Sequence, residues 1–248
     1  MNEHQYRNQR FDGGQQAWPP QGGAWGSLQA TTAAQATVAE RLSFVRKVYA
    51  LFFAAILFGI GGVALGLSFT PLLRFAFEHP FIMLFMMIGG VLGAQAVRHV
   101  RGLNLVALFA FTTFTGLVIS PAIYIARQVN PGSILTAAVL TVGIFGGLTA
   151  YVFISKRDFS FMRGMLTVGL IVVVLAGLMS MFVASGALGF AVSAAALLLF
   201  SGFVLYDTSN IIRHYPTNEY VAGALSLYLD AFNIFLALLR ILNSGDRD

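Results

Sequence analysis

Tyr220 to Leu242 reads YVAGALSLYLDAFNIFLALLRIL, an apolar run of membrane length with one carboxylate, Asp230, near its middle. Helical spacing gathers Gly223, Ser226, Asp230, Asn233 and Ala237 on a small, polar stripe and spreads Leu225, Leu229, Phe232, Leu236 and Leu239 over the remaining surface. Placing a carboxylate at that depth costs about 3 kcal/mol or more, so the stripe is expected to face other helices, with Asp230 as a pathway or switch residue. The plainer role is a protonated Asp230 acting as hydrogen-bonded glue between two helices.

The rest of the chain agrees with a membrane setting. Hydrophobic residues make up 57% of it and charged residues 10%, and the mean hydropathy is +0.77; soluble domains carry about 25% charged residues. The net charge of +5 comes from bases in the N-terminal stretch and short connections, where they report topology and not nucleic-acid binding. There are no cysteines, which excludes disulfides, thiol catalysis and cysteine-based metal or iron-sulfur sites. The histidines, His4, His79, His99 and His214, all fall outside the apolar cores, so no zinc-protease site is available inside the bilayer.

Residues 1–31 are rich in Gln, Gly, Asn and Pro and lack an apolar period, which predicts a disordered polar tail. No early apolar segment with a cleavage site occurs there, so the first hydrophobic run is expected to be an uncleaved span. Residues 32–47 carry Val38, Leu42 and Val45 on one face with Arg41, Arg46 and Lys47 nearby, the pattern of an interfacial helix. About 20 apolar residues cross a bilayer, and by that measure residues 48–242 hold seven spans: Val48–Phe69, Phe81–Val97, Leu103–Ala126, Ile134–Ser155, Met165–Ala184, Leu188 to about Ile212, and Tyr220–Leu242. Residues 243–248 form a short C-terminal tail. The sixth span ends either at Tyr206 or near Arg213, because TSNII after Asp207 is only weakly polar. The glycine pairs Gly62/Gly66, Gly89/Gly93 and Gly143/Gly147 are expected to allow close helix approach in three spans.

With the N-terminus inside, eleven bases lie on the cytoplasmic side and four (Arg74, Arg127, Arg240 and Arg247) outside. The positive-inside rule therefore favours a cytoplasmic N-terminus and an outside C-terminus. A re-entrant last segment would return the C-terminus inside.

Of the ten acids, only Asp207 and Asp230 lie within apolar spans. Measured from Arg213 and Glu219, Asp207 lies about 9 Å inward and Asp230 about 16 Å at helical rise, a gap that tilt and side-chain reach can close if the sixth helix continues past Asp207. Arg98 and Arg101 stand at the cytoplasmic junction of spans two and three, either as ion-pair partners of Asp207 or as topological anchors. A retinal protein would need a lysine in the last span, and the lysines, Lys47 and Lys156, are interfacial. Tyr206-Asp207 is reminiscent of an intramembrane aspartyl protease, but Asp230 lacks the Gly-x-Gly-Asp setting. A rhomboid-type serine protease would need a buried histidine. No enzyme reading survives.

LYDTSNII at Leu205–Ile212 and ALSLYLDAFNIFLALLRIL at Ala224–Leu242 closely resemble the C-terminal signature of the Bax inhibitor-1 (transmembrane Bax inhibitor motif) family. FVRKVYALF at Phe44–Phe52, GLVISPAI at Gly116–Ile123 and FGGLTAYVFISKRDFSF at Phe145–Phe161 resemble its bacterial members, and the likeness covers about residues 40 to 242. The resemblance implies an all-α, seven-transmembrane-helix bundle with the last helix central. It also implies a pH-sensitive calcium leak in which Asp207 and Asp230 share a proton and an arginine, Arg98 or Arg101, latches onto Asp207. Ser226 and Asn233 would support the pair from the same stripe. Calcium would be the permeant ion, met by Asp207 and Asp230, and no cofactor is expected.

Two functions follow as expectations. The first is a non-enzymatic ion-leak protein of the bacterial inner membrane. The second is a membrane-embedded regulator that binds and restrains another membrane protein, such as a quality-control protease. The expected partners are therefore the lipid bilayer and, for the second reading, that protease.

Overall fold

The computed structural model describes residues 32–100, 102–183 and 185–244. The polar tail expected over residues 1–31, the candidate latch Arg101, and residues 245–248 lie outside them. Eight α-helices occur among the described residues: α1 (Val38–Ser68), α2 (Thr70–Glu78), α3 (Pro80–Ala96), α4 (Leu103–Val129), α5 (Pro131–Ser155), α6 (Arg163–Phe182), α7 (Gly186–Arg213) and α8 (Tyr220–Ser244). Six are long and apolar enough to cross a membrane, or seven if α2 and α3 form one span. The chain is a helical integral-membrane bundle.

Thr37 starts α1 through a capping box, in which its hydroxyl accepts from Glu40 N at 3.3 Å and the Glu40 carboxylate accepts from Thr37 N at 3.0 Å. From there the helix runs unbroken to Ser68. The interfacial helix expected over residues 32–47 is thus not a separate element: residues 38–47 are the first turns of α1, because no Gly or Pro interrupts the chain from Val38 to Phe58. Ahead of it, Ala33 N donates to Tyr215 O at 2.9 Å and Thr32 bridges to Pro216, tying this segment to the connection between α7 and α8.

The chain bends by 95° between α2 and α3. Proline stands in the first turn of both helices, where its missing N–H is harmless but where it prevents continuation of a preceding helix. α3, where the second span was expected, has 17 residues, about 25 Å, and counts toward a span only together with α2. The last segment, expected as the seventh span with re-entrance as the alternative, is one unbroken helix of 25 residues.

α1 and α4 pack with their backbones close. A Cβ on Gly62 would strike the Thr113 carbonyl, one on Gly116 the Gly59 carbonyl, and one on Gly66 the Ser120 side chain. The other two glycine pairs behave differently: Gly89, Gly93, Gly143 and Gly147 have no atom within 4 Å of a built Cβ. Close approach through these pairs is therefore confined to one span, since spacing alone does not say which face meets a neighbour. Pro121 inside α4 cannot donate to Leu117 O. The Ser120 hydroxyl does so at 2.7 Å, so the carbonyl is not left bare.

α8 is the central helix. More than half of its most apolar stretch is buried, 56%, against 39% or less in the other long apolar helices, and it packs on α7, α1, α5 and α4. Leu227 and Ile234 are fully enclosed. At the other extreme α6 presents Met165, Val168, Val172 and Met179 outward, as a helix bathed in acyl chains does. Lipid supplies no hydrophobic drive between helices, so small-residue contact and interhelical hydrogen bonds hold the bundle.

Candidate functional site

The site is built where α7 turns back into α8. α7 does not stop at Tyr206 but continues to Arg213, because the polar side chains of TSNII are used internally. Thr208, Ser209 and Asn210 are buried. The Ser209 hydroxyl accepts from Phe159 N at 3.0 Å and lies 3.4 Å from Asp158 Oδ1, anchoring α7 to the connection between α5 and α6. Asn210 O ends the helix by accepting from His214 N at 2.7 Å and Tyr215 N at 2.9 Å.

This extension puts Asp207 on the helix and carries its half-buried side chain to α8, where its carboxyl meets that of buried Asp230 within hydrogen-bonding reach. Asp230 Oδ2 is enclosed and meets no N–H or hydroxyl donor among the described residues. Two carboxyls in contact are stable when they share a proton and repel when both are ionised.

The polar stripe of α8 faces protein. Gly223 leaves room for Ile211 and Val48, whose atoms lie 3.3 and 3.4 Å from a built Cβ. Ser226 meets the Tyr215 hydroxyl at 3.2 Å, and Asn233 Nδ2 turns back to Leu229 O at 2.7 Å. Burial pushes the Tyr215 phenol up to about 12, and the negative charge of Asp207 adds to that rise. Tyr215 is therefore a neutral hydroxyl at the end of the pair nearest the connection between α7 and α8.

Arg98 is not brought to Asp207. Its Nε donates to His99 Nε2 at 2.9 Å, and the side chain is exposed. Among the described residues the ion pairs are His99 to Glu219, 3.7 Å, and His214 to Asp158, 3.5 Å. The latter places His214 in a pair and not simply in solvent. The backbone N–H of Ser160 holds the Asp158 carboxyl below the usual carboxylate range, helped by the charges of His214 and Arg213. No cluster of three or more metal-ligating side chains occurs among the described residues, so Asp207 and Asp230 offer a cation two carboxylates and no closed cage.

Comparison with known proteins now places the chain. The family model described as inhibitor of apoptosis-promoting Bax1 matches residues 41–247. The chain belongs to the Bax inhibitor-1 family. It is 36% identical to mouse protein lifeguard 4 over 86% of this chain and 90% of that protein. It is 37% identical to an uncharacterized protein of Campylobacter jejuni over 81% and 88% of the two chains, and 33% identical to a vaccinia virus Golgi anti-apoptotic protein over 88% and 92%. Of these Bax inhibitor-1 relatives the vaccinia virus protein is named as anti-apoptotic, and none of the three names describes a reaction.

One polar contact of this family member went unread in the sequence. Tyr228, two residues before Asp230, places its hydroxyl 2.5 Å from Thr115 Oγ1 and 3.3 Å from Thr112 O, joining α8 to α4. Its signal was the Thr112, Thr115 spacing on one face of α4, matched by Gly59 on α1, where a Cβ would lie 2.7 Å from the Tyr228 hydroxyl.

Proposed function

We propose that this Bax inhibitor-1 family protein is a pH-responsive cation leak of the bacterial inner membrane, with its N-terminus in the cytoplasm, and not an enzyme. The observation that carries the reading is the meeting of Asp207 and Asp230 against the central helix. With one proton between them the carboxyls draw α7 and α8 together. With none they repel, and a divalent cation becomes the counter-charge that relieves the repulsion. Calcium takes six to eight oxygen ligands; two carboxylates with water complete part of such a shell, which suits passage better than storage. The latch for Asp207 is an arginine of the neighbouring connection between α3 and α4, Arg98 or Arg101; Arg98, whose guanidinium rests on His99 in this structure, would have to leave that contact to act as it.

The test is calcium entry into liposomes holding the purified full chain and a trapped indicator. Flux above that of empty liposomes, varying with pH, is the expected result. A second reading, a membrane-embedded regulator of another membrane protein such as a quality-control protease, draws support from α6, of whose most apolar stretch only 6% is buried and which offers a partner helix an open face. No flux, together with co-purification of a membrane protease, would favour that reading.

A further inference from the structure

The connection between α3 and α4 carries Arg98 and His99, and their contact has a defined proton arrangement. Arg98 Nε–H donates to His99 Nε2 at 2.9 Å. A ring nitrogen that accepts carries a lone pair, so His99 is neutral in this arrangement and its proton sits on Nδ1. Nδ1 in turn faces Glu219 Oε1 at 3.7 Å, in the connection between α7 and α8. The ring therefore stands between a guanidinium and a carboxylate from two different connections. The Arg98 backbone is held separately: its carbonyl accepts from Nδ2 of buried Asn104 at 3.2 Å, so the guanidinium can move without the chain moving.

We propose that His99 is a pH-dependent positioning residue for Arg98, holding the guanidinium while the ring is neutral and expelling it when the ring is protonated. An imidazolium carries N–H on both nitrogens and accepts nothing. On protonation donor faces donor at Nε2 and cation faces cation, while the same proton strengthens the attraction of Nδ1 for Glu219. Histidine is the side chain whose ordinary charge change falls between about pH 5 and 8. Among the described residues the charged groups facing the ring are Arg98 on its own connection and Glu219 opposite. Beyond Glu219, Lys47 of α1 sits over the Tyr220 ring at 5.5 Å. His214 is paired with Asp158 and Arg213 donates to Lys156 O, both toward the connection between α5 and α6. Acidification thus releases Arg98 from His99 toward the mouth; its arrival at Asp207 rests on the latch role proposed above.

The test reads the proton on the ring directly. Full-length protein with 15N-labelled histidine is placed in nanodiscs, and the His99 signals are assigned by their loss in His99→Gln. At about pH 8 the wild type should show the neutral Nδ1–H tautomer, and Arg98→Met should convert it to the Nε2–H form usual for a free histidine. An Nε2–H tautomer in the wild type, or a tautomer indifferent to Arg98→Met, overturns the proposal. In liposomes, His99→Gln keeps a neutral acceptor for Arg98 but cannot titrate. The several-fold change that Arg98→Met causes in acid should therefore shrink in the His99→Gln background, and an undiminished change overturns the proposal. If the wild type passes no calcium at any pH while the tautomer shifts as stated, the leak reading fails and the His99–Arg98 device stands.

Discussion

Asp207 of α7 and Asp230 of α8 meet carboxyl to carboxyl, although helical rise alone would leave them about 7 Å apart in depth. The offset is closed because α7 runs on to Arg213 and Gly223 lets α8 lie close against Ile211. Nearby, Tyr215 lies at the end of the pair nearest the connection between α7 and α8 and is itself tied to Ser226 and to the backbone of Ala33.

The Tyr228 contact gives a compensating pair of substitutions. Gly59→Ala drives a methyl into the Tyr228 hydroxyl and should destabilise the protein by about 1–3 kcal/mol, the usual cost of overpacking. Tyr228→Phe alone should cost about 1 kcal/mol, since Thr115 keeps its bond to Thr112 O at 2.8 Å. In the double variant the Gly59→Ala penalty should largely vanish. Thermal unfolding in detergent measures all three, and additive losses would contradict the packing described.

Glycines of identical spacing should separate by environment. Gly62→Ala and Gly116→Ala each push a methyl into a backbone carbonyl of the facing helix and should lower the unfolding midpoint by several degrees or prevent folding. Gly89→Ala and Gly143→Ala meet nothing and should be neutral or slightly stabilising, since alanine favours helix by about 1 kcal/mol.

Much of this arrangement was legible in the sequence. Tyr220–Leu242 announced a buried, polar-striped helix because a carboxylate at membrane depth leaves few other choices, and α8 is that helix. The family likeness rested on the same stretch and on LYDTSNII. The glycine pairs were ambiguous for a physical reason: GxxxG marks a smooth face without naming its neighbour. The bend between α2 and α3 was written in Pro71 and Pro80, but hydropathy counts apolar residues and does not register a change of direction. The side chains of Arg98 and His99 depend on which connections lie together at one end of the bundle, which no local pattern encodes.

Asp158 gives a pH effect with a definite sign. Its carboxyl lies below the usual range through the Ser160 N–H, so its stabilisation is present above the ordinary carboxylate value, about 3.9, and is lost as pH falls through the depressed one. Asp158→Ala should therefore lower stability at about pH 6 by no more than about 1 kcal/mol, because the pair is exposed and screened. At about pH 2 to 3 the variant and the wild type should converge. A difference that grows with acidity would contradict this assignment.

The bend between α2 and α3 makes membrane sidedness a sharp question. If the pair crosses once, seven spans put the two ends of the chain on opposite sides; a re-entrant pair leaves six and puts them on the same side. Reporters fused at residue 248 and inserted near Glu78 should both lie outside, given a cytoplasmic N-terminus. A cytoplasmic C-terminal reporter would show that α2 and α3 do not span.

The most direct test of the central claim is calcium flux into liposomes across a pH series for the wild type, Asp207→Asn, Asp230→Asn and the double variant. Because both carboxyls belong to one proton-sharing contact, each single substitution should abolish the pH dependence, and the double variant should be no worse than the worse single. Ser226→Ala should alter stability more than pH response. If both single asparagine variants keep the wild-type pH dependence, Asp207 and Asp230 are packing residues and the account of the pair as the pH-responsive element is contradicted.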